Sequence, residues 1–454
     1  MARDPELTNS QLFLDDRWVD DVQRLTRIWH KADIYPEPLV RADKPWETRG
    51  LVFYGTVLRL GDTWRMYYCA ERDLLCLAES DNGLQWRKPS LGLVDFQGSR
   101  ENNIVFQGIL CPSVMHDPED TDAPFKMVTQ GKFADRPAIQ GLISPDGLNW
   151  SWLDEPLIPK PPASDVQYLW PRKAGGKYII THKTSHGQKL ARRCVAIAES
   201  EDFRSFSDSH LILKSDLADP ADIEYHGMVG FPYGDMYLGM AERWVNSPGI
   251  MNHIELLLTW SHDRRPWHQP AAREPFIGPT YPWNRGWNTC NSAGPILEGN
   301  QLWFYFGGKS GSHFHVKAGP LPFTSIGLAT ITVDRFASIT AGFREGRLVT
   351  RPMSWPGGDL LLNASTTRHF EVYPRDGGGS MFIEVWDESG QPVDGFCDAD
   401  RAVFEGNIPT RGYVDPATIL WPGDRSLNDL RGRRIRLVFT MQDSHLFSFR
   451  SSRG

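Results

Sequence analysis

The sequence predicts an all-β protein, a five-bladed β-propeller followed by a small antiparallel β-sandwich. Three observations predict it. Units of about 60 residues built from β-type runs recur five times, no helical periodicity separates them, and the rhythm changes after about residue 343. The predicted domains are an N-terminal segment at 1–45 that packs on or closes the propeller, the propeller at 46–343, and the sandwich at 344–454.

Each unit contains three apolar runs in a fixed order. The first runs are YGTVLRL at 54, PSVMHDP at 112, VQYLWPR at 166, EYHGMVGFPY at 224 and NSAGPILEG at 291. The second runs are WRMYYCA at 64, FKMVTQG at 125, KYIITHK at 177, DMYLGMA at 235 and LWFYFGG at 302. The third runs end in a polar turn and an aromatic residue, as in CLAESDNGLQW at 76 and GLISPDGLNW at 141. The turn aspartates Asp81, Asp146, Asp202 and Asp263 are predicted to be structural, because such side chains bond the backbone of tight turns.

The last part of the chain has a different pattern. Runs such as SMFIEVWD, RIRLVFTM and HLFSFRS alternate apolar and polar residues, and Gly-rich turns such as DGGGS at 376 separate them. This pattern is typical of a small antiparallel sandwich.

Composition and charge exclude several classes of function. The chain has 49 Lys and Arg against 56 Asp and Glu, a formal net charge of −7, so no nucleic-acid partner is expected. The apolar runs are shorter than the ~18 residues of a membrane helix, so no membrane partner is expected. The acidic start MARDPELTNSQLFLDD lacks the pattern of a signal peptide, which predicts a cytoplasmic location. The six cysteines show no C-x-x-C pair and are predicted to be buried thiols.

The first runs supply the candidate site residues, because the innermost strand of each propeller blade lines the central channel. The candidates from these runs are His116, Asp117, Asp165, Trp170, Glu224, His226, Trp287 and Asn288, with Arg243 from a second run. Asp15, Asp16 and Glu47 precede the first run and are placed near the channel mouth. Of the tryptophans, Trp170, Trp244, Trp283 and Trp287 are candidates for sugar platforms.

Several carboxylates facing a cavity lined with tryptophan are what glycoside hydrolysis requires. The five units with HDP at 116–118 resemble the five-bladed propeller glycosidases, the invertase and levanase group and the arabinanase and arabinofuranosidase group. In the former group an R-D-P motif of the second blade holds an Asp that stabilises the transition state, which implies this role for Asp117. The segments LFLDDR, PWE and IRLVFTMQDSHLFSF also resemble a bacterial family of propeller-plus-sandwich proteins described as glycosyl-hydrolase-like, of unassigned substrate.

The sequence departs from the invertase pattern at two places. The stretch RGLVFYGTVLRL carries no carboxylate where that family has its nucleophile, so Asp15, Asp16 or Glu47 would supply the nucleophile or base. The E-C-P motif with the general acid is absent, so Glu224, the nearest Glu of a first run, would act as the general acid.

The predicted function is a glycoside hydrolase that cleaves a small glycoside or oligosaccharide, and the resemblance to the invertase and arabinanase groups implies a furanoside. No cofactor and no metal are expected, although His116, His182, His186, His226, His313 and His315 leave a metal alternative open. A glycoside phosphorylase is a second possibility, with Arg72, Lys183 and Arg243 around phosphate. A non-catalytic carbohydrate-binding propeller is a third. The expected partner is a small carbohydrate, and a homo-oligomer is possible.

Overall fold

A computed structural model of the chain describes residues 9–48, 50–70, 73–133, 136–159, 165–186, 192–246, 252–311, 324–366, 379–405 and 416–453. The described secondary structure is almost entirely β, which confirms the predicted class. Short 3₁₀ helices lie at Pro45–Glu47, Asp398–Asp400 and Leu427–Leu430. The chain divides into two compact units: unit 1 comprises Met1–Lys31, Leu297–Leu302 and Ile331–Gly454, and unit 2 comprises Ala32–Ile296 and Trp303–Thr330. The domain boundaries expected at residues 45 and 343 stay a prediction.

The strands in chain order are β1 (Gln11–Leu12), β2 (Val19–Gln23), β3 (Leu25–Trp29), β4 (Asp33–Ile34), β5 (Val40–Arg41), β6 (Leu51–Leu60), β7 (Thr63–Ala70), β8 (Leu74–Ser80), β9 (Ile104–Gln107), β10 (Leu110–His116), β11 (Phe125–Phe133), β12 (Arg136–Ser144), β13 (Ser151–Trp152), β14 (Ile158–Pro159), β15 (Gln167–Leu169), β16 (Tyr178–His186), β17 (Arg192–Ser200), β18 (His210–Leu213), β19 (Ile223–Tyr233), β20 (Met236–Val245), β21 (His253–Ser261), β22 (Trp287–Cys290), β23 (Ile296–Glu298), β24 (Gln301–Lys309), β25 (Thr324–Thr332), β26 (Ala337–Ala341), β27 (Gly346–Thr350), β28 (Met353–Ser354), β29 (Leu360–Ser365), β30 (Ser380–Asp387), β31 (Ala402–Glu405), β32 (Ala417–Ile419), β33 (Arg434–Gln442) and β34 (Ser444–Ser451).

The described strands of unit 2 form four sheets. Their orders are β6-β7-β8-β9, β10-β11-β12-β13 with β14 on β12, β15-β16-β17-β18, and a nine-stranded sheet β19-β20-β21-β22-β24-β25-β4 with β23 on β24 and β5 on β25. In the first four units the three predicted runs form consecutive antiparallel strands, for example β6, β7 and β8. The single parallel contact of Ile254 with Trp287 joins β21 to β22 in the largest sheet.

Each of the four sheets carries short strands beyond the three predicted runs. The strands β9, β13 and β18 pair with β8, β12 and β17, and β4 and β5 pair with β25. These outer strands have 2–4 residues each and are partly exposed, so their sequences show little of the apolar alternation that marks the inner runs.

The repeated turn after the third run has a common hydrogen-bond pattern. The Asp146 carboxylate accepts the N–H groups of Leu148 and Asn149 at 2.8 Å, and Ser144 Oγ accepts the N–H of Gly147 at 2.9 Å. Asn82, Asp202 and Asp263 occupy the same position and also accept backbone N–H groups. The structural role predicted for Asp146, Asp202 and Asp263 is therefore confirmed, whereas Asp81 pairs with Arg87 instead.

Unit 1 contains two sheets of six strands, β3-β26-β34-β29-β32 with β1 on β34, and β2-β27-β33-β30-β31 with β28 on β33. Buried side chains from both sheets, such as Phe449 of β34 and Phe439 of β33, belong to one apolar cluster. The alternating runs of the sequence produce this arrangement, because every second side chain of a strand points to the same face.

Candidate functional site

A cavity of about 820 Å³ lies in unit 2. Four strands contribute much of its wall: Leu51–Tyr54 from β6, Leu110 and Cys111 from β10, His226 from β19, and Trp287 and Thr289 from β22. The other lining residues are Gly50, Asp73, Gly108, Ile109, Gln130, Asp165, Val166, Lys183, Arg193, Trp244, Gly307, Gly308, Lys309, Thr324 and Ser325. Residues far apart in the sequence therefore meet around one space of the size that small-molecule sites occupy.

Aromatic side chains form one wall of this cavity. The rings of His226, Trp244 and Trp287 contact each other edge to face, with centroids 5.3–5.5 Å apart. The Tyr54 hydroxyl lies 3.2 Å from His226 Nε2. Each ring comes from a different strand, β6, β19, β20 or β22, so the packing of four strands fixes this wall.

Charged side chains form another part of the wall. Lys183 of β16 forms a hydrogen-bonded ion pair with Asp165, which stands at the exposed start of the third unit. The Arg193 guanidinium lies over the Trp244 ring at 4.1 Å. Burial and the nearby Arg193 charge lower the pKa of Lys183 to about 8. The ion pair with Asp165 offsets only part of this lowering, because the Asp165 side chain is 53% exposed and solvent screens its charge.

A fully buried carboxyl group, Glu242, lies close to this wall. Its Oε1 accepts the Tyr168 hydroxyl at 2.5 Å and the Cys290 N–H at 3.0 Å. Glu242 stands opposite Gly227 in the β19–β20 pair, and a Cβ atom at Gly227 would lie 2.9 Å from Glu242 Oε2. The glycine therefore makes room for the carboxyl group.

The protonation state of Glu242 is set by its surroundings. Its Oε2 is buried and has no hydrogen-bond partner within the described ranges of the chain. Burial raises its pKa to about 7, although the Tyr168 hydroxyl and the Cys290 N–H favour the charged form. A carboxyl group that titrates near neutral pH is one of the marks of a functional site. Sequence reasoning missed Glu242; the available signal was an acid, followed by Arg243, inside the otherwise apolar stretch MYLGMAERWV at 236.

Five residues named from the sequence line the cavity: the site candidates Asp165, His226 and Trp287, the platform candidate Trp244, and Lys183 of the phosphorylase alternative. Glu224 is not among the lining residues, but it contacts Arg193, which is. Its carboxylate accepts Arg193 Nη1 at 2.8 Å, the Arg193 N–H at 3.1 Å and Asn246 Nδ2 at 2.8 Å. These hydrogen bonds outweigh burial and lower the pKa of Glu224, which is the opposite of what a general acid needs.

Asp117 lies away from the lining residues, in the turn after β10. Its carboxylate accepts the Tyr178 hydroxyl at 2.5 Å and forms an ion pair with Lys173 at 2.9 Å. Although burial acts in the other direction, these partners lower the pKa of Asp117. The neighbouring His116 packs its ring on Phe125, with the centroids 4.8 Å apart.

The candidates that precede the first run also have partners elsewhere. The buried Glu47 carboxylate accepts the Tyr68 hydroxyl and Lys88 Nζ, both at 2.7 Å. Asp15 and Asp16 belong to unit 1, where Asp16 forms an ion pair with Arg27 at 2.7 Å. The structure does not bring these three carboxylates into the lining of the cavity.

The remaining binding candidates are buried among other side chains. Trp170 packs on Tyr237 and Trp267, and Arg243 Nη1 donates to Glu255 at 2.6 Å. Asn288 Nδ2 donates to the Ile254 carbonyl at 2.8 Å. Trp283, a candidate platform, donates its Nε1–H to the Pro36 carbonyl at 2.9 Å.

The histidines of the metal alternative and the cations of the phosphorylase alternative lie in different parts of the chain. His182 is buried beside Ser209, while His313, His315 and Arg72 lie outside the described residues. Within the described ranges, no group of three or more His, Cys, Asp or Glu side chains is placed to hold a metal ion. The same ranges contain no helix that is both long and apolar enough to span a membrane.

Comparison with protein-family models gave no match, and neither did comparison with curated proteins. The solved structures that match include glycoside phosphorylases, glycoside hydrolases and an N-acetylgalactosamine deacetylase. A β-1,2-mannobiose phosphorylase from Listeria innocua matches with a TM-score of 0.48 and 13% identity, over 67% of this chain and 97% of its own. A glycosyl hydrolase from Bacteroides ovatus matches with a TM-score of 0.47 and 12% identity, over 68% and 95%. A thermostable family-43 glycoside hydrolase matches with a TM-score of 0.46 and 13% identity, over 63% and 91%.

Proposed function

We propose that this chain is a carbohydrate-active enzyme, a glycoside hydrolase that holds a small glycoside or oligosaccharide in the 820 Å³ cavity. The observation that carries the proposal is the combination, in one cavity, of aromatic side chains with charged ones. Apolar ring faces pack on sugar C–H groups, and charged groups bond sugar hydroxyls. We also propose that unit 2 is a five-bladed propeller and unit 1 a sandwich. Unit 2 has four described sheets, and the largest of them combines the strands of the fourth and fifth sequence units. These sheets, and the two sheets of unit 1, support the proposal.

In this proposal Trp287 and Tyr54 form the apolar surface under the sugar, and Asp165 is the acidic group that lies beside it. Asp73 is the other carboxylate among the described lining residues. Glycoside hydrolysis uses two carboxyl groups, one of them a proton donor with a raised pKa. Asp165 and Asp73 therefore replace Asp117 and Glu224 as the first residues to test for this role.

The test is turnover of a panel of aryl glycosides and furanosyl oligosaccharides, with and without phosphate. Trp287→Ala and Asp165→Asn are expected to lower kcat/KM at least about 100-fold, because each removes a direct contact with the sugar or the reacting atoms. Trp152→Ala is the matched control, because Trp152 lies on β13, is 41% exposed and does not line the cavity.

Three outcomes separate the alternatives. Turnover that requires phosphate would identify a phosphorylase, and sugar binding without turnover would identify a carbohydrate-binding module. If Trp287→Ala and Asp165→Asn retain full activity while the wild type turns over a glycoside, the cavity is not the active site.

A further inference from the structure

Lys183 and Arg193 are neighbours on one face of the β16–β17 pair. Lys183 pairs directly with Val195, and Arg193 lies two residues along the strand from Val195. Residues two apart in a strand point to the same face, so the two cations are diagonal neighbours across the pair, with Cβ atoms less than about 7–8 Å apart. Both line the cavity.

The Arg193 guanidinium is held in place and keeps one edge unused. Trp244 supports its plane at 4.1 Å, and Nη1 donates to Glu224 at 2.8 Å. Nε and Nη2 form no hydrogen bond with any described residue, although they carry the two parallel N–H bonds that fit an oxyanion side-on. Its other contacts thus orient this edge before a ligand arrives.

Lys183 also has donors to spare. Its ammonium group carries three N–H bonds, and its one hydrogen bond to a described side chain goes to Asp165. The Lys183 side chain is 7% exposed, whereas that of Asp165 is 53% exposed. The counter-ion of Arg193, Glu224, is not a lining residue. A ligand that passes Asp165 therefore meets two cations with unused donors.

We propose that the cavity binds an oxyanion between Lys183 and Arg193, so that the ligand is an acidic saccharide whose carboxylate takes this position. This inference rests on the proposed function for the saccharide part of the ligand. The shared chemistry is an oxygen anion that accepts several N–H bonds, and free phosphate is the other source of such a group. The mutual repulsion of the buried Lys183 and the partly exposed Arg193 favours an anion between them, consistent with the lowered pKa of Lys183.

The experiment is calorimetric titration of the full chain with glucuronate, galacturonate, glucose, galactose and inorganic phosphate. The uronates are expected to bind at least about ten-fold more tightly than the neutral sugars, because charge-assisted hydrogen bonds are the stronger class. Arg193→Gln and Lys183→Gln are expected to abolish this preference. Arg193→Lys, which keeps the charge and loses the two-pronged edge, is expected to reduce it part of the way.

Two further variants exclude a general effect of charge or folding. Arg192→Gln removes the same type of side chain from the adjacent position of β17, where Arg192 is exposed and does not line the cavity, and is expected to leave uronate affinity within two-fold of the wild type. Asp165→Asn frees Lys183 and is expected to tighten uronate binding about two- to five-fold, a gain that structural damage would not produce. Circular dichroism confirms that each variant is folded.

The outcomes are separable from those of the proposed function. Uronate preference lost in Arg193→Gln supports the inference even if no glycoside is turned over. Phosphate binding lost in the same variant also supports the oxyanion site and assigns it to phosphate. Equal affinity for glucuronate and glucose, with no binding of phosphate, overturns the inference even if neutral glycosides are hydrolysed.

Discussion

Two aspartate–lysine pairs in unit 2 have opposite burial. In the pair of Asp117 with Lys173, the aspartate side chain is 4% exposed and the lysine 24% exposed. In the pair of Asp165 with Lys183, the lysine is 7% exposed and the aspartate 53% exposed. The first pair neutralises a buried anion and lowers its pKa, whereas the second leaves a buried cation poorly neutralised beside a cavity. We infer that the pair of Asp117 with Lys173 stabilises the fold, whereas the pair of Asp165 with Lys183 leaves a cation that can bind a ligand.

The largest expected effect is on the Asp117 pair. Asp117→Ala removes the acceptor of the Tyr178 hydroxyl and the Lys173 ammonium, and is expected to lower the free energy of unfolding by about 3–5 kcal/mol. Because the folded pKa of Asp117 is lowered, its contribution is present above the unfolded pKa and lost as the pH falls through the folded pKa. Urea denaturation of both proteins at several pH values between 2 and 7 measures the difference. A difference that does not shrink in acid would contradict this account.

The second effect concerns Glu242, the buried carboxyl group near the cavity. Its folded pKa of about 7 exceeds the ordinary value of 4.5, so the folded chain keeps a proton that the unfolded chain loses. Stability should therefore fall as the pH rises from 4.5 to 7, by on the order of 3 kcal/mol, and level off above 7. Glu242→Gln, which is neutral and of the same size, is expected to lose this dependence.

The measurement for Glu242 is the difference in unfolding free energy between Glu242→Gln and wild type at pH 5 and pH 8. The variant is expected to gain stability relative to wild type at pH 8. Glu199→Gln is the control, because Glu199 is a partly exposed partner of Arg264 and Lys177. A difference for Glu242→Gln that is the same at both pH values would show that the carboxyl group stays ionised in the folded chain.

The smallest expected effect concerns the pair of Asp165 with Lys183. Asp165→Asn is expected to change the free energy of unfolding by less than about 1 kcal/mol, because Asp165 is half exposed. It should nevertheless lower the pKa of Lys183 below the wild-type value of about 8, and with it the pH at which Lys183 reacts half-maximally with an amine reagent. Peptide mass spectrometry after brief acetylation measures this pH. A higher midpoint in the variant would contradict the role given to Asp165.

The β-strands of the fold were predictable because the three runs of each unit are long and apolar. The outer strands were not, since strands such as β4 and β13 have two residues and partly exposed side chains. Hydrophobic periodicity needs a longer run than this to register. The pairing of β4 and β5 with β25 joins residues nearly 300 positions apart, for which the sequence carries no local signal.

The candidate site was predictable only in part, because sequence gives the strand but not the direction of each side chain. Asp165, His226 and Trp287 were assigned to the cavity and line it, whereas Asp117 ends the same type of run and points to Lys173. A bulge between Tyr225 and Gly227 changes which side chains of β19 face each side. Tyr54, Arg193 and Glu242 were missed because their importance depends on contacts between different strands.

We propose that this protein binds saccharide in the cavity lined by Trp287, Lys183 and Arg193. The decisive experiment is a crystal structure of the chain soaked with glucuronate or an acidic disaccharide. We expect electron density for the sugar over Trp287, with its carboxylate within hydrogen-bond distance of Arg193 Nη2 and Lys183 Nζ. Sugar density beside Asp117 or Glu47, with the cavity holding only solvent, would contradict it.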